Sequence, residues 1–201
     1  MGLAAKQTFL SESDYLDWEA QQAQRHEYVA GEVYAMAGAE DRHITVCLNL
    51  AVALRGSLSG TPCRVYMSDM KVQVEASQSF FYPDLLVTCS DADHQSCLVK
   101  REPSLIVEVL SPSAASYDRG EKFAHYRRIA SLQEYALIDL DTRRCDVYRK
   151  GRDGLWVLHP VEVGQAMELV TGGLKLEADD LFDGVEGEVR TFVGERQNLV
   201  L

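Results

Sequence analysis

Apolar residues along this chain alternate between a helical period and a strand period, and the order of those periods predicts the elements. From Asp41 the positions Ile44, Cys47, Leu48, Ala51, Val52 and Leu54 recur at helical spacing as far as Arg55, where Gly56, Ser57 and Gly60 break the pattern. A core-facing helix is expected there. Strands are expected over 64–74, 80–88 and 103–110, the last an almost unbroken apolar run of the kind buried on both faces of a sheet. A helix over 118–130 follows, with Asp118 suited to its N-cap, and then strands over 135–140 and 145–149 around the turn Asp141-Thr142-Arg143-Arg144. At the front, Ser11 or Ser13 can cap a short helix to about Gln24, and 26–36 reads as a hairpin turning at Ala30-Gly31. The tail offers a hairpin strand around 155–158, a polar link and a closing turn over 178–182. The order helix, strand, strand, strand, helix, strand, with an N-terminal helix and hairpin added, is that of an α/β (α+β) fold.

With 201 residues, 46% hydrophobic and 25% charged, and no linker rich in Pro, Gly or Ser, a single domain spanning 1–201 is expected. The five cysteines are odd in number and hold no CxxC pair, so ordinary reduced thiols are expected, not a disulfide framework or a zinc ribbon. The first residues lack a signal-peptide core, and no apolar run approaches the roughly 18 residues that span a bilayer. A cytoplasmic protein without a membrane partner is therefore the expectation. The formal net charge of −11 argues against broad attraction to nucleic acid. That charge is uneven: residues 118–150 carry eight Lys/Arg against six Asp/Glu, whereas 151–201 carry four against ten.

Two carboxylates interrupt the apolar runs. Asp84 follows Tyr82-Pro83 and leads Leu85-Leu86-Val87, and Glu108 sits inside Leu105-Ile106-Val107-Glu108-Val109-Leu110. Burying such groups costs free energy unless a cation, a proton or hydrogen-bond donors offset the desolvation. Lys122 shares a helix face with Tyr126 and Ile129, so it points inward. Metal-assisted phosphodiester hydrolysis asks for this combination, namely carboxylates that fix an ion and a positive group beside the attacking water. The plainer readings are a turn aspartate held by backbone amides, a core glutamate paired with arginine, and an exposed Lys122–Asp118 pair worth about 0.3–0.5 kcal/mol. Around these, His43 opens the first core helix near Glu40 and Asp41 as a base, ligand or cap. Glu27 and Glu32 flank the hairpin turn, and Ser111-Pro112-Ser113 offers hydroxyls, amides or simply a turn. Gly56-Ser57-Leu58-Ser59-Gly60 has leucine where a hydrolase elbow needs its nucleophile.

Taken in order, His26-Glu27-Tyr28-Val29-Ala30-Gly31-Glu32-Val33, Pro83-Asp84, Glu108-Val109-Leu110-Ser111-Pro112-Ser113, Asp118-Arg119-Gly120-Glu121-Lys122 with Tyr126, and Glu134-Tyr135 resemble the Uma-type restriction-endonuclease family over roughly residues 8–185. The resemblance implies a PD-(D/E)xK, restriction-endonuclease-like core over about 40–150, with a mixed central β-sheet flanked by helices. It implies Asp84, Glu108 and the Val109 carbonyl as ligands of Mg²⁺ or Mn²⁺, and Asp84, Glu108 and Lys122 as the catalytic set. The motif lysine ordinarily lies two residues after the glutamate, where this chain has Leu110, so Lys122 is read as its replacement from the neighbouring helix. Glu32, His43, Asp118 and Tyr126 stand as accessory candidates. The implied activity is endonucleolytic hydrolysis of DNA, against the alternative of a nuclease-fold binding or assembly module without catalysis. A homodimer is expected on general grounds.

Overall fold

The computed structural model describes residues 9–112 and 114–186, which leaves the reading of the first residues and of Ser113 outside it. The order of elements is α1 (Glu12–Glu19), β1 (His26–Val29), β2 (Glu32–Ala35), α2 (Asp41–Ser57), β3 (Arg64–Met67), β4 (Lys71–Val74), β5 (Ser79–Phe81), β6 (Leu85–Thr88), α3 (Asp91–Gln95), β7 (Val99–Lys100) and β8 (Pro103–Leu110). Then come α4 (Ala115–Tyr117), a π-helical turn (Asp118–Lys122), α5 (Phe123–Tyr126), β9 (Glu134–Asp139), β10 (Arg144–Lys150), β11 (Trp156–Val161), β12 (Met167–Leu169), β13 (Leu174–Leu176) and α6 (Ala178–Leu181). The strands form a six-stranded sheet in the order β11-β10-β9-β8-β6-β3, a five-stranded sheet β2-β1-β5-β4-β7 and the hairpin β12-β13. Both larger sheets are mixed, because β8 runs parallel to β9 and β4 parallel to β7 while their other pairings are antiparallel.

The period-2 pattern of β8 sorts its side chains between two cores. Leu105, Val107 and Val109 join Leu85, Val87, Ala136 and Ile138 under α2, against Val46, Leu50 and Leu54. Ile106 and Leu110 join Leu86, Tyr135 and Leu137 on the opposite face, against Phe81, Tyr126 and Ile129. Glu108 lies on that second face, where the Tyr126 hydroxyl and the Lys122 ammonium meet it. Elsewhere a buried carboxylate is fully satisfied: Glu134 accepts from Arg149 Nε and from the Val170 and Thr171 amides, which ties the turn after β12 to the sheet.

Several expectations are corrected. The run 64–74 is two strands in different sheets, broken where Ser68 turns with positive φ and donates its amide to the Asp84 carbonyl. The run 80–88 is also two strands, because Tyr82-Pro83-Asp84 lies outside both ladders and Pro83 has no amide to donate. The helix expected over 118–130 begins at Ala115 and ends at Tyr126; Asp118 is no N-cap, since its amide already donates to the Ala114 carbonyl at 2.9 Å. The link expected after 155–158 contains the β12-β13 hairpin, whose Met167, Leu169 and Leu176 enter the core. In α2 only one side faces the core, and Ile44, Leu48 and Val52 are exposed. Among the described residues no helix is long and apolar enough to cross a membrane.

The cysteines also depart from expectation. Cys63 and Cys89 form a disulfide across the end of the β3–β6 pair, where the register Arg64↔Thr88 sets the two positions opposite each other. Their Cα atoms lie 4.0 Å apart, a proximity that 26 residues of separation concealed in the sequence. Titration of unfolded, unreduced protein with a thiol reagent is expected to count three thiols, Cys47, Cys97 and Cys145, of the five cysteines; five would contradict the bridge.

Candidate metal centre

The break at Pro83 creates the site. It releases Asp84 from strand geometry just before β6, and the antiparallel register Leu85↔Val107 then sets Asp84 beside Glu108 near the end of β8. Asp84 Oδ2 accepts the Val109 amide at 2.7 Å and lies 3.1 Å from His43 Nε2, in the first turn of α2. Cys47, one helical turn further, places Sγ 3.7 Å from His43 Nδ1. The thiol and the carboxylate thus address different nitrogens of one ring, and His43, Cys47 and Asp84 each bring a ligand-type atom within 4.8 Å of the others. Burial pushes the Cys47 thiol well above its ordinary range. Burial alone would lower the His43 imidazole, but the hydrogen bond and charge of Asp84, helped by the Val109 backbone, raise it above its ordinary value.

The second half of the site comes from the helix over the other face of the sheet. Lys122 Nζ lies 2.9 Å from Glu108 Oε1, 2.9 Å from Glu27 Oε1 in β1 and 3.8 Å from Asp118 Oδ1, with its side chain only 7% exposed. The Tyr126 hydroxyl donates to the same Glu108 oxygen at 3.0 Å, and the Tyr135 hydroxyl donates to the Asp118 carbonyl at 3.0 Å. Asp118, Lys122 and Tyr126 follow one another at four-residue steps, so a single helix face presents acid, base and hydroxyl to Glu108. The π turn sits on that stretch; such insertions change the helical phase and recur at functional sites.

The charges do not balance. Four carboxylates, Glu27, Asp84, Glu108 and Asp118, face the Lys122 ammonium and the His43 imidazole. Burial pushes the Glu108 carboxyl up against the pull of Lys122, and the other acids push in the same direction. Burial opposes the Lys122 charge too, yet Glu108 and Glu27 hold it as an ammonium. Glu27 Oε1 is buried and, despite the nearby ammonium, has no partner in hydrogen-bond geometry. Among the described residues both side-chain contacts of Asp84 use Oδ2 and both of Glu108 use Oε1, which leaves Oδ1 and Oε2 for a cation. Hard oxygen donors with surplus negative charge suit Mg²⁺ or Mn²⁺.

Of the residues singled out in the sequence, Asp84, Glu108, Val109, His43, Asp118, Lys122 and Tyr126 converge here. The plainer readings are partly present, since Asp84 does accept a backbone amide and Lys122 does pair with Asp118, but that pair is buried and Glu108 is matched to lysine instead of arginine. Glu32 is the exception: it pairs with Val29 near the hairpin turn, and its carboxylate accepts the Tyr34 hydroxyl. Glu27, on β1 two residues before Val29, takes the place in the cluster. Its signal was an acid in the first strand whose alternate neighbour, Val29, is apolar. The basic stretch 118–150 is largely consumed internally, with Arg119 on Asp146 and Asp139, Arg144 on Glu162 and Arg149 on Glu134, which leaves Arg127 and Arg128 exposed.

A family model described as Uma2, "Putative restriction endonuclease", matches residues 12–179. The chain is 36% identical over 176 residues to the uncharacterized protein slr1290 of Synechocystis sp. (strain ATCC 27184 / PCC 6803 / Kazusa), covering 88% of this chain and 93% of that one. A second uncharacterized protein of the same organism, sll1609, is 34% identical over 178 residues, covering 88% of this chain and all of its own length. A crystal structure of a putative nuclease belonging to DUF820 from Anabaena variabilis ATCC 29413 matches with a TM-score of 0.72, over 86% of this chain and 97% of that one. At 16% identity that likeness is one of fold, the restriction-endonuclease-like arrangement of mixed sheets flanked by helices.

Burial and the neighbouring acids raise the Asp118 carboxyl from 3.8 to about 6 despite Lys122. A raised folded-state value means that its stabilising contribution is fully present below about pH 3.8 and is lost as pH rises through about 6. Urea unfolding of metal-free protein is expected to show stability falling between about pH 4 and 6 from this group, and Asp118→Asn is expected to flatten that slope; an unchanged slope in the variant would rule the assignment out.

Proposed function

The chain belongs to the Uma2 family, and from that premise we propose that it is a divalent-metal-dependent endonuclease that hydrolyses DNA phosphodiester bonds. The observation that carries the reading is the convergence of Asp84 and Glu108 from adjacent strand ends with a buried Lys122 ammonium 2.9 Å from the glutamate. Asp84, Glu108 and the Val109 carbonyl would hold Mg²⁺ or Mn²⁺, with His43 orienting Asp84. When bound, such an ion acts as a Lewis acid on a phosphoryl oxygen and lowers the pKa of a bound water.

The chain's own groups supply the rest. Lys122, kept as an ammonium by its carboxylates, donates hydrogen bonds to the attacking water and offsets negative charge growing on the phosphoryl oxygens; its raised pKa suits this role better than that of a base. Glu108, fixed by Lys122 and Tyr126 on one oxygen, would have the other to hold the ion. The water oxygen bonds to phosphorus as it gives up a proton to bulk solvent, the bond to the 3′ oxygen breaks, and that oxygen takes a proton from solvent and leaves as a hydroxyl, so the product carries a 5′-phosphate. The lysine supports this chemistry from the helix because its side chain spans the gap that the Leu110 position leaves.

Calorimetric titration of metal-free protein with Mn²⁺ tests the reading without guessing a DNA sequence. Binding is expected in the wild type, absent in Asp84→Ala and in Glu108→Ala, and weakened by ~10–100-fold in His43→Ala. Undiminished affinity in both carboxylate variants, with the fold intact by circular dichroism, would sink the assignment. Nicking of supercoiled plasmid by the wild type, lost in Lys122→Met, is the expected companion result; metal binding without any cleavage across varied DNA would favour the non-catalytic module.

A further inference from the structure

The outer side of α2 is apolar where a surface helix is ordinarily polar. Its exposed positions are Asp41, Ile44, Leu48, Val52, Arg55 and Gly56, and the first five follow at steps of three, four, four and three, which places them on one narrow stripe. Ile44, Leu48 and Val52 are 55%, 54% and 65% exposed. The opposite side, Val46, Cys47, Leu50, Ala51 and Leu54, already fills the core. A helix apolar on both sides is one that is meant to be covered on both. Among the described residues nothing covers the outer side.

The stripe is also self-complementary. Leu48 stands at its centre, Ile44 and Val52 lie four residues to either side, and Asp41 and Arg55 lie seven to either side. Neither Asp41 nor Arg55 makes an ion pair with a described side chain; the Asp41 carboxylate accepts only the amide of Arg42. Two copies of α2 laid antiparallel with Leu48 on the two-fold axis set leucine on leucine once, at the axis, and twice set Ile44 on the partner's Val52 and Asp41 against the partner's Arg55. A parallel arrangement would set like charges together at both ends. We infer that the chain forms an isologous homodimer through the outer side of α2, with the helices antiparallel about Leu48.

The seam is about 21 Å long from Asp41 to Arg55 at the α-helical rise. One helix pair buries less than the roughly 800 Å² per partner of a standard interface, so the association is concentration-dependent. The inference stands apart from the nuclease reading, although the two meet in α2, which carries His43 on its inner side. Pairing along this helix therefore fixes two candidate centres in one particle.

Sedimentation velocity of the full chain over low to high micromolar concentrations tests it. A monomer–dimer equilibrium is expected for the wild type. Leu48→Glu, which places two like charges on the axis at an exposed position, is expected to weaken association at least tenfold with an unchanged circular dichroism spectrum. Asp41→Arg alone is expected to weaken it as well, and Asp41→Arg combined with Arg55→Asp to restore it, because the swapped charges again meet opposite partners only in the antiparallel pair. A wild type that stays monomeric throughout, the result expected were residues 187–201 to cover the stripe, overturns the proposal. So does a dimer indifferent to Leu48→Glu, and failure of the double swap to restore association overturns the antiparallel arrangement.

Discussion

The Lys122 ammonium is the interaction on which the rest of the site depends. It is buried between a strand of each large sheet and its own helix, with Glu27 from β1, Glu108 from β8 and Asp118 one helical turn away. A buried charge without partners is strongly destabilising, whereas one surrounded by carboxylates is tolerated and fixes the elements that supply them. Lys122 thus ties the five-stranded sheet to the six-stranded one, and it permits Glu108 to sit in an otherwise apolar face of β8. The same carboxylates outnumber it. What is left over is a pocket of negative charge at the strand ends, which is the condition a divalent cation meets.

The position of that pocket follows from how the sheet is covered. Alternation along β8 sends odd residues under α2 and even residues under the helix of 115–126, so only at the end of the strand can groups from both layers meet. His43 reaches Asp84 from one layer, and Lys122 reaches Glu108 from the other. Pro83 contributes by what it lacks, since a residue without an amide cannot continue the ladder and frees Asp84 to turn towards the Val109 amide.

Tethering at the periphery has a different character. Glu134 and its donors, and Lys100 with the Asp93 and Ser96 carbonyls and the Tyr66 ring, are buried polar groups whose partners are all in place. They hold a turn or a loop, and neither gathers several like charges in one place. The contrast with the Lys122 cluster is physical: a satisfied knot needs nothing more, while a cluster of four acids and two bases gains from a further cation. The outer stripe of α2 is incomplete in the apolar sense, as the cluster is in the electrostatic one.

Much of this was legible along the chain. Asp84, Glu108 and Lys122 were conspicuous because charged groups in apolar surroundings cost free energy, and that cost is a property of local sequence. The long apolar run of β8, the capped helix after Ser11 and the hairpin at Ala30-Gly31 were legible for the same reason, since period and turn chemistry are local. Tertiary structure alone decided what depends on distant residues meeting: that Glu27 and not Glu32 completes the Lys122 cluster, that Cys63 faces Cys89, and which apolar side of α2 the sheet covers. Helical spacing assigns Ile44 and Leu50 to sides of a helix but cannot say where the sheet lies. The sequence determined which residues needed partners, and the packing of two sheets and two helix layers determined which partners they found, because desolvation acts on each residue whereas pairing requires a register between segments far apart in the chain.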